Sequence, residues 1–384
     1  MKVAQVISCM AQESSGVQSY LASMCNALVD SGVETSLYTC GETRDSTRRY
    51  QLKTFRRERF PMYSLARSPM LKKALAEDVD SFDIVQSNGL WQFPNVYPAQ
   101  AVRGHRAKLV TMPHGTLSKW ALGRSRLKKQ LFGWFCGQFL AIDQTDLFVA
   151  TCEKEMLEIR ACGYRQPIAV VPIGLELPDL ERLPKVEPEK ARRRVVFLGR
   201  IHPVKGCDNL LKAWHAVVRE QVPLAEGWEL VFAGPDCGAQ SGLEEMIARH
   251  EIPNVRFVGE LHGEEKYIFL RDADICVLPS HTENFGITAA EALACETPVI
   301  ATKGTPWSGL SVNSCGWWVE DALEPLTMAL KSAVALPRSE LMRMGSRGRE
   351  WMRRDFSWDS IGAKMKASYE WLVNGGDRPD YVIM

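Results

Sequence analysis

The stretch Ile275–Leu293, ICVLPSHTENFGITAAEAL, contains the change of pattern that decides the fold. It opens with a short apolar run typical of a buried strand and ends with the apolar spacing of a helix that begins beyond Gly286. The loop between them carries Glu283, and the helix carries Glu291. A buried strand that leads straight into a helix is the repeating unit of a parallel α/β sheet.

Short apolar runs alternate with helix-length segments on both sides of this stretch. They are Val3–Ile7, Glu34–Tyr38, Ile84–Val85, Lys108–Thr111, Leu147–Ala150 and Ile168–Val171, and later Val195–Leu198, Glu229–Phe232, Val255–Val258 and Pro298–Ala301. The rhythm stops in the proline-containing, charged stretch 176–191. The sequence therefore predicts an α/β chain of two doubly wound, Rossmann-like domains, 1–175 and 192–356, joined by a linker at 176–191 and facing each other across a cleft. An amphipathic helix is predicted within 357–374.

Composition supports two globular domains and excludes several classes. The chain has 384 residues, 46% of them hydrophobic, and a net charge of +1, which argues against a nucleic-acid partner. Eleven cysteines without a Cys-x-x-Cys pair suggest neither a zinc site nor a disulfide framework. With no long apolar run and no signal-like start, we expect a cytoplasmic protein.

Two cations follow the strand Val195–Leu198, in Gly199-Arg200-Ile-His-Pro-Val-Lys205-Gly206. A planar guanidinium and a point-like ammonium between glycines suit a diphosphate. Gly16, at the start of the first predicted helix, would let a backbone approach a phosphate, but the G-x-G-x-x-G spacing of a dinucleotide oxidoreductase is missing.

Two carboxylates flank a predicted helix start in the opening stretch. The amides of Phe285, Gly286 and Ile287 are expected to lack helical acceptors and to face an anion. Glu283 and Glu291 would accept hydrogen bonds from sugar and ribose hydroxyls.

The two glutamates separated by seven residues around Phe-Gly, after Gly-Arg and Lys-Gly, resemble the signature of family-four glycosyltransferases with the GT-B fold. Further motifs resemble the branch that builds bacterial exopolysaccharide and lipopolysaccharide: Asn88–Trp91, Pro113–Gly115, Trp120–Leu122, Thr297–Ile300, Thr305–Trp307, Gly316–Trp318 and Phe356-x-Trp358. The resemblance covers nearly the whole chain.

The resemblance implies a role for each matching position. Arg200 and Lys205 would clamp the donor diphosphate, and Glu291 would hold the ribose. Glu283, with the loop Asn284–Ile287, would hold the donor sugar. The remaining implied contacts are Gly16 at the diphosphate, His114 near the transferred sugar, Gly259 and Leu261 beside the base, and helix 357–374 packed back on the N-terminal domain.

The resemblance also implies a retaining transfer in which the leaving phosphate takes the acceptor proton and the two cations stabilise its charge. No cofactor is expected, because the nucleotide-sugar is a substrate. The pairs Asp78/Asp80 and Asp272/Asp274 match the Asp-x-Asp pattern of manganese sites. Each pair precedes a strand, away from the ligand edge of the sheet, so no metal is expected.

Charge is distributed unevenly along the chain. No Asp or Glu occurs from Ile84 to Ile142, and the segment 119–140 combines Lys and Arg with aromatic residues, as does the basic cluster 48–59 nearby. Either these segments lie on an anionic membrane surface, or 119–140 is a helix with a core-facing apolar side and a solvated basic side. Trp91 and Trp120 could stack on an acceptor, either a saccharide or a lipid-linked one.

Two other functions share these features. A nucleotide-sugar 2-epimerase has the same two-domain architecture, and a catalytically silent nucleotide-sugar-binding scaffold would retain the binding residues.

Overall fold

The computed structural model describes residues 1–10, 16–41, 48–58, 63–184, 192–220 and 227–384. These residues form two compact units. Unit 1 is Met1–Gly174 together with Trp358–Met384, and unit 2 is Leu175–Ser357. Part of the expected linker, 185–191, lies outside the described residues.

Unit 1 is built on a parallel sheet whose strands, apart from β3, follow the predicted apolar runs. Along the chain they are β1 (Lys2–Ile7), β2 (Glu34–Cys40), β3 (Gln51–Phe55), β4 (Ile84–Asn88), β5 (Lys108–Met112), β6 (Leu147–Ala150) and β7 (Ile168–Val170). The helices are α1 (Gly16–Asp30), α2 (Pro69–Asp78), α3 (Tyr97–Val102), α4 (Lys119–Gly123), α5 (Arg126–Phe135), α6 (Gln138–Asp143) and α7 (Glu153–Ala161).

Unit 2 repeats the plan on a smaller sheet. Its strands are β8 (Arg193–Leu198), β9 (Trp228–Ala233), β10 (Val255–Phe257), β11 (Ile275–Leu278), β12 (Val299–Thr302) and β13 (Gly316–Val319). Its helices are α8 (Cys207–Glu220), α9 (Gln240–His250), α10 (Glu264–Arg271), α11 (Ile287–Ala294), α12 (Gly309–Val312), α13 (Leu323–Val334) and α14 (Arg338–Asp355). The chain then returns to unit 1 with α15 (Trp358–Asn374) and β14 (Val382–Ile383).

Each sheet has a point where successive strands are added to opposite sides. In the described residues the order is β14-β7-β6-β5-β4-β1-β2-β3 in unit 1 and β10-β9-β8-β11-β12-β13 in unit 2, parallel throughout except for β14. The order reverses between β1 and β4 and between β8 and β11. Ligands of open α/β sheets bind beyond the carboxyl ends of strands at such switch points.

Helices cover both faces of the unit 1 sheet, as side-chain alternation along β1 shows. Val3 and Ile7 pack with α1 and α15, whereas Ala4 and Val6 pack with α2 and α3. The prediction of two parallel-sheet α/β domains is confirmed.

A closed ring of buried hydrogen bonds attaches α15 to this sheet. Tyr369 Oη accepts from Gln5 Nε2 (3.0 Å) and donates to Gln86 Oε1 (2.6 Å). Gln86 donates to Asn88 Oδ1 (3.0 Å), whose amide donates back to Gln5 Oε1 (2.8 Å). Because each of these polar groups is buried and paired, the ring fixes the position of α15 on β1 and β4.

Candidate active site

The turn after β8 is shaped by Gly206 and His202. Gly206 has φ +65°, and a Cβ there would lie 2.1 Å from the carbonyl oxygen of Pro279. The short 3-10 turn Pro203–Lys205 is capped by His202, whose Nδ1 accepts from the Val204 amide (3.1 Å). Only glycine allows this close approach, which brings Lys205 to the loop that follows β11.

Lys205 and Glu283 come together at the switch point of unit 2. The Lys205 ammonium forms an ion pair with Glu283 Oε1, which also accepts from Ser280 Oγ (2.9 Å). The Glu283 amide donates to the carbonyl oxygen of Gly304 (3.0 Å), and both side chains of the pair are more than four-fifths buried. A buried cation and carboxylate at the ligand end of two adjacent strands can bind a phosphate and a hydroxyl, respectively.

The start of α11 is open toward this edge. Gly286, with φ +76°, is the N-cap residue of α11 and has no side chain with which to cap the first amides. Phe285 is buried against Trp307, which donates its Nε1 proton to the Phe285 carbonyl oxygen (2.7 Å). The Phe285 side chain therefore belongs to the core. Asn284 is half-buried, and Ile287, the first helical residue, is partly exposed.

Glu291 has a partner that the sequence did not reveal. Its buried Oε1 accepts from Lys266 Nζ of α10 at 2.6 Å. Burial works to lower the pKa of Lys266, but attraction to Glu291 and their hydrogen bond outweigh it and raise the pKa. The pair fixes the orientation of the Glu291 carboxylate one turn into α11.

Arg200, Gly259 and Leu261 border the same end of the sheet. Arg200 is exposed directly after β8 and has no ion-pair partner among the described residues. Gly259 has φ +76°, and its carbonyl oxygen accepts from the Gly234 amide (2.7 Å). Leu261 is half-buried in the same loop. An exposed Arg200 leaves a guanidinium available for a second phosphate contact.

His114 lies in unit 1 on a strained turn after β5. Its backbone has φ +54°, its ring contacts Tyr20 edge-on (5.5 Å between centroids), and its Nε2 is buried without a hydrogen-bond partner among the described residues. Burial lowers the pKa of His114 to about 4, so the ring is neutral at pH 7. The buried ring nitrogen is thus a polar group for which the described residues supply no hydrogen bond.

Glu155 of α7 holds this turn, a role that no sequence motif indicated. One carboxylate oxygen accepts from the Gly115 amide (2.5 Å), and the other accepts from the amide and hydroxyl of Thr151 (both 2.7 Å). Glu155 is 1% exposed. Its carboxylate therefore ties the peptide next to His114 to the start of α7.

The remaining candidates in unit 1 differ in environment. Gly16 is the first residue of α1, and residues 11–15 before it lie outside the described residues. Trp91 follows β4 with φ +71°, and its amide donates to Gln138 Oε1 (2.9 Å). Trp120 of α4 is 64% exposed, with Arg124 over its ring at 5.6 Å.

The Asp-x-Asp pairs take part in ion pairs. Asp78 pairs with Lys53 at 2.7 Å, and Asp274 pairs with Arg338 at 2.9 Å while accepting from the Arg194 amide. The partners of these two carboxylates lie on β3, β8 and α14.

The basic segment exposes apolar side chains. On α5, Trp134 is 79% exposed and Phe135 is 84% exposed, and Leu127 and Leu131 are also exposed, whereas Phe132 is buried. The apolar residues of this helix are thus only partly used by the core. In the cluster 48–59, Arg49 pairs with Asp30, Lys53 pairs with Asp78, and residue 59 lies outside the described residues. Within the described residues, no helix combines the length and apolar character needed to cross a bilayer.

Comparison with known proteins identifies the class. Residues 14–177 match the model described as Glycosyltransferase Family 4, and residues 180–351 match the model described as Glycosyl transferases group 1. The fold is similar to a glycosyltransferase from Rickettsia africae (TM-score 0.73, 16% identity, 98% of this chain and 99% of that one) and to Anabaena HepE in complex with UDP (TM-score 0.71, 16% identity, 96% and 99%). The fold is that of the GT-B glycosyltransferases, and the chain belongs to family four.

Curated relatives include D-inositol 3-phosphate glycosyltransferases. That of Jonesia denitrificans is 30% identical over 253 residues, covering 61% of this chain and 59% of the relative. That of Geodermatophilus obscurus is 32% identical over 250 residues, covering 61% and 54%. The matches therefore span somewhat more than half of these relatives.

Proposed function

We propose that this chain is a glycosyltransferase that moves a hexose from a nucleotide-diphosphate sugar, UDP- or GDP-linked, to a saccharide or lipid-linked acceptor. The Lys205–Glu283 pair at the switch point of unit 2 carries the proposal. It combines a phosphate-binding cation with a hydroxyl-binding carboxylate beside a helix start whose N-cap is Gly286. The family match and the relatives' names support the reaction class.

Chemistry at this site follows from charge. Breaking the bond between sugar and diphosphate develops negative charge on the leaving phosphate, which Arg200, Lys205 and the α11 amides would stabilise. We propose transfer with retention of configuration and without a metal, the leaving phosphate taking the acceptor's proton. Ribose hydroxyls would donate to Glu291, and Gly259 and Leu261 would border the base.

The acceptor side of the proposal concerns unit 1. His114 offers one buried ring nitrogen for a ligand hydrogen bond. The exposed apolar and basic side chains of 119–140 favour contact with an anionic membrane surface, which would suit synthesis of O-antigen or exopolysaccharide at the inner face of the membrane.

A donor assay tests this function. The full chain is incubated with labelled UDP- and GDP-hexoses and a saccharide-lipid extract. Both the release of nucleotide and the formation of labelled product are measured. We expect transfer that falls at least about a hundredfold in Glu283→Gln and persists in Lys212→Met, which breaks the exposed Lys212–Asp208 pair on α8. Conversion of the free sugar-nucleotide without transfer would indicate the epimerase, and donor binding without turnover would indicate the scaffold.

A further inference from the structure

Unit 1 contains a pocket of about 680 Å³ that is lined by residues of α4, α5, α6 and α7 and is open to solvent on one side. Its apolar lining includes Leu117, Leu122 and Phe139, and its cations are Lys119, Arg126 and Lys129. Such a volume is within the range of small-molecule sites. Apolar walls with several cations indicate a ligand that has both a hydrocarbon part and a negative charge.

Lys129 shows how the cations are held. Its ammonium donates to the Ala121 carbonyl oxygen and lies 5.9 Å from the Trp91 ring, so one charge is fixed between α4 and an aromatic wall. Lys119 and Arg126 are exposed and free to turn toward an anion. Glu158 is the single carboxylate among the lining residues, so positive charge prevails.

The pocket lies next to the His114 turn along the chain. The segment that carries His114 continues to Leu117 and Lys119, and the Trp91 indole donates to the Thr116 carbonyl oxygen (3.4 Å). Helix α7 supplies Glu155 to the turn and Glu158 to the pocket. A ligand in the pocket would thus lie beside the segment that ends at the unpaired histidine.

We propose that this pocket binds a single-chain phosphate ester amphiphile, its phosphate at Lys119, Arg126 and Lys129 and its chain against the apolar walls. This rests on the proposed function and specifies the acceptor as lipid-linked through phosphate. The exposed Trp134 of α5 contacts Phe139 of the pocket lining (5.9 Å between ring centroids), which gives the hydrocarbon chain an apolar path toward a membrane.

The test is calorimetric titration of the full chain with decyl phosphate below its micelle concentration. We expect binding that is at least about tenfold tighter than that of decanol or inorganic phosphate. Arg126→Met should weaken it about tenfold. Lys128→Met, an exposed cation of the same helix that does not line the pocket, is the control and should leave it unchanged.

Several outcomes would overturn the proposal. These are absence of decyl phosphate binding, equal binding of decanol, equal losses in the two variants, or binding only to vesicles of two-chain phosphatidylglycerol. Thermal stabilisation by UDP- and GDP-sugars is measured on the same preparations. Failure of the donor function would remove that stabilisation, whereas failure of the pocket would leave it intact.

Discussion

Replacing Glu155 with Gln removes a charge without changing shape. The carboxylate satisfies three donors with two oxygens, one of them the Gly115 amide next to His114. A glutamine has one oxygen, so its NH₂ group must face either Gly115 or Thr151. One buried donor is then left without an acceptor.

The loss is about 2 kcal/mol for a buried donor that loses a charged acceptor. In a unit of this size, that lowers Tm by about 4–8 °C. Because the freed peptide adjoins His114, we also expect kcat to fall about tenfold to a hundredfold with little change in the donor's KM. Scanning calorimetry and steady-state kinetics on the purified chain measure both effects.

Glu153→Gln is the matched control, because Glu153 is an exposed carboxylate in the first turn of the same helix, two residues before Glu155. It should change the free energy of unfolding by less than about 1 kcal/mol and leave kcat unchanged. A wild-type Tm and kcat in Glu155→Gln, or an equal loss of kcat in both variants, would contradict this role of the Glu155 carboxylate.

Three further predictions concern buried groups. Tyr369→Phe opens the polar ring and should cost about 2–4 kcal/mol in calorimetric unfolding, against less than about 1 for Tyr381→Phe, whose half-buried hydroxyl donates one bond. Burial lowers the pKa of His114 from 6.5 to about 4, so the unfolded chain takes up this proton at a higher pH than the folded chain does. As the pH falls from 6.5 to 4, the free energy of unfolding of wild type should therefore decrease by up to about 3 kcal/mol relative to that of His114→Asn. An unchanged difference across that window would contradict this. Lys266→Met leaves the charge of Glu291 buried without its partner and should lower the free energy of unfolding by about 2 kcal/mol. The double variant Lys266→Met/Glu291→Gln should recover part of this loss, and additive losses would contradict the pairing.

The fold was predictable where the determinants are local. Each predicted run from Val3 to Ala301 forms a strand because it is apolar and bounded by turns. Strand β3 was missed because its charged Lys53 suggested a surface cluster. The ammonium is instead satisfied by Asp78, which only the folded chain brings near.

The candidate site residues were likewise predictable only where local sequence determines their position. Arg200, Lys205, Glu283 and Glu291 follow strands in the sequence, so their positions at the sheet edge were predictable. The partners Lys266 and Glu155 were not, because each comes from another helix and carries no motif. The exposure of Trp134 and Phe135 likewise depends on which apolar residues of α5 the core leaves uncovered.

The central claim is that unit 2 binds a nucleotide diphosphate through Arg200 and Lys205. The most direct measurement is the calorimetric Kd of UDP and GDP for wild type, Arg200→Met, Lys205→Met and the control Lys212→Met. We predict that one nucleotide binds wild type and the control equally, and that each of the first two variants binds it about tenfold to a hundredfold more weakly. Equal affinity in all four proteins, or no binding of either nucleotide, would contradict the assignment.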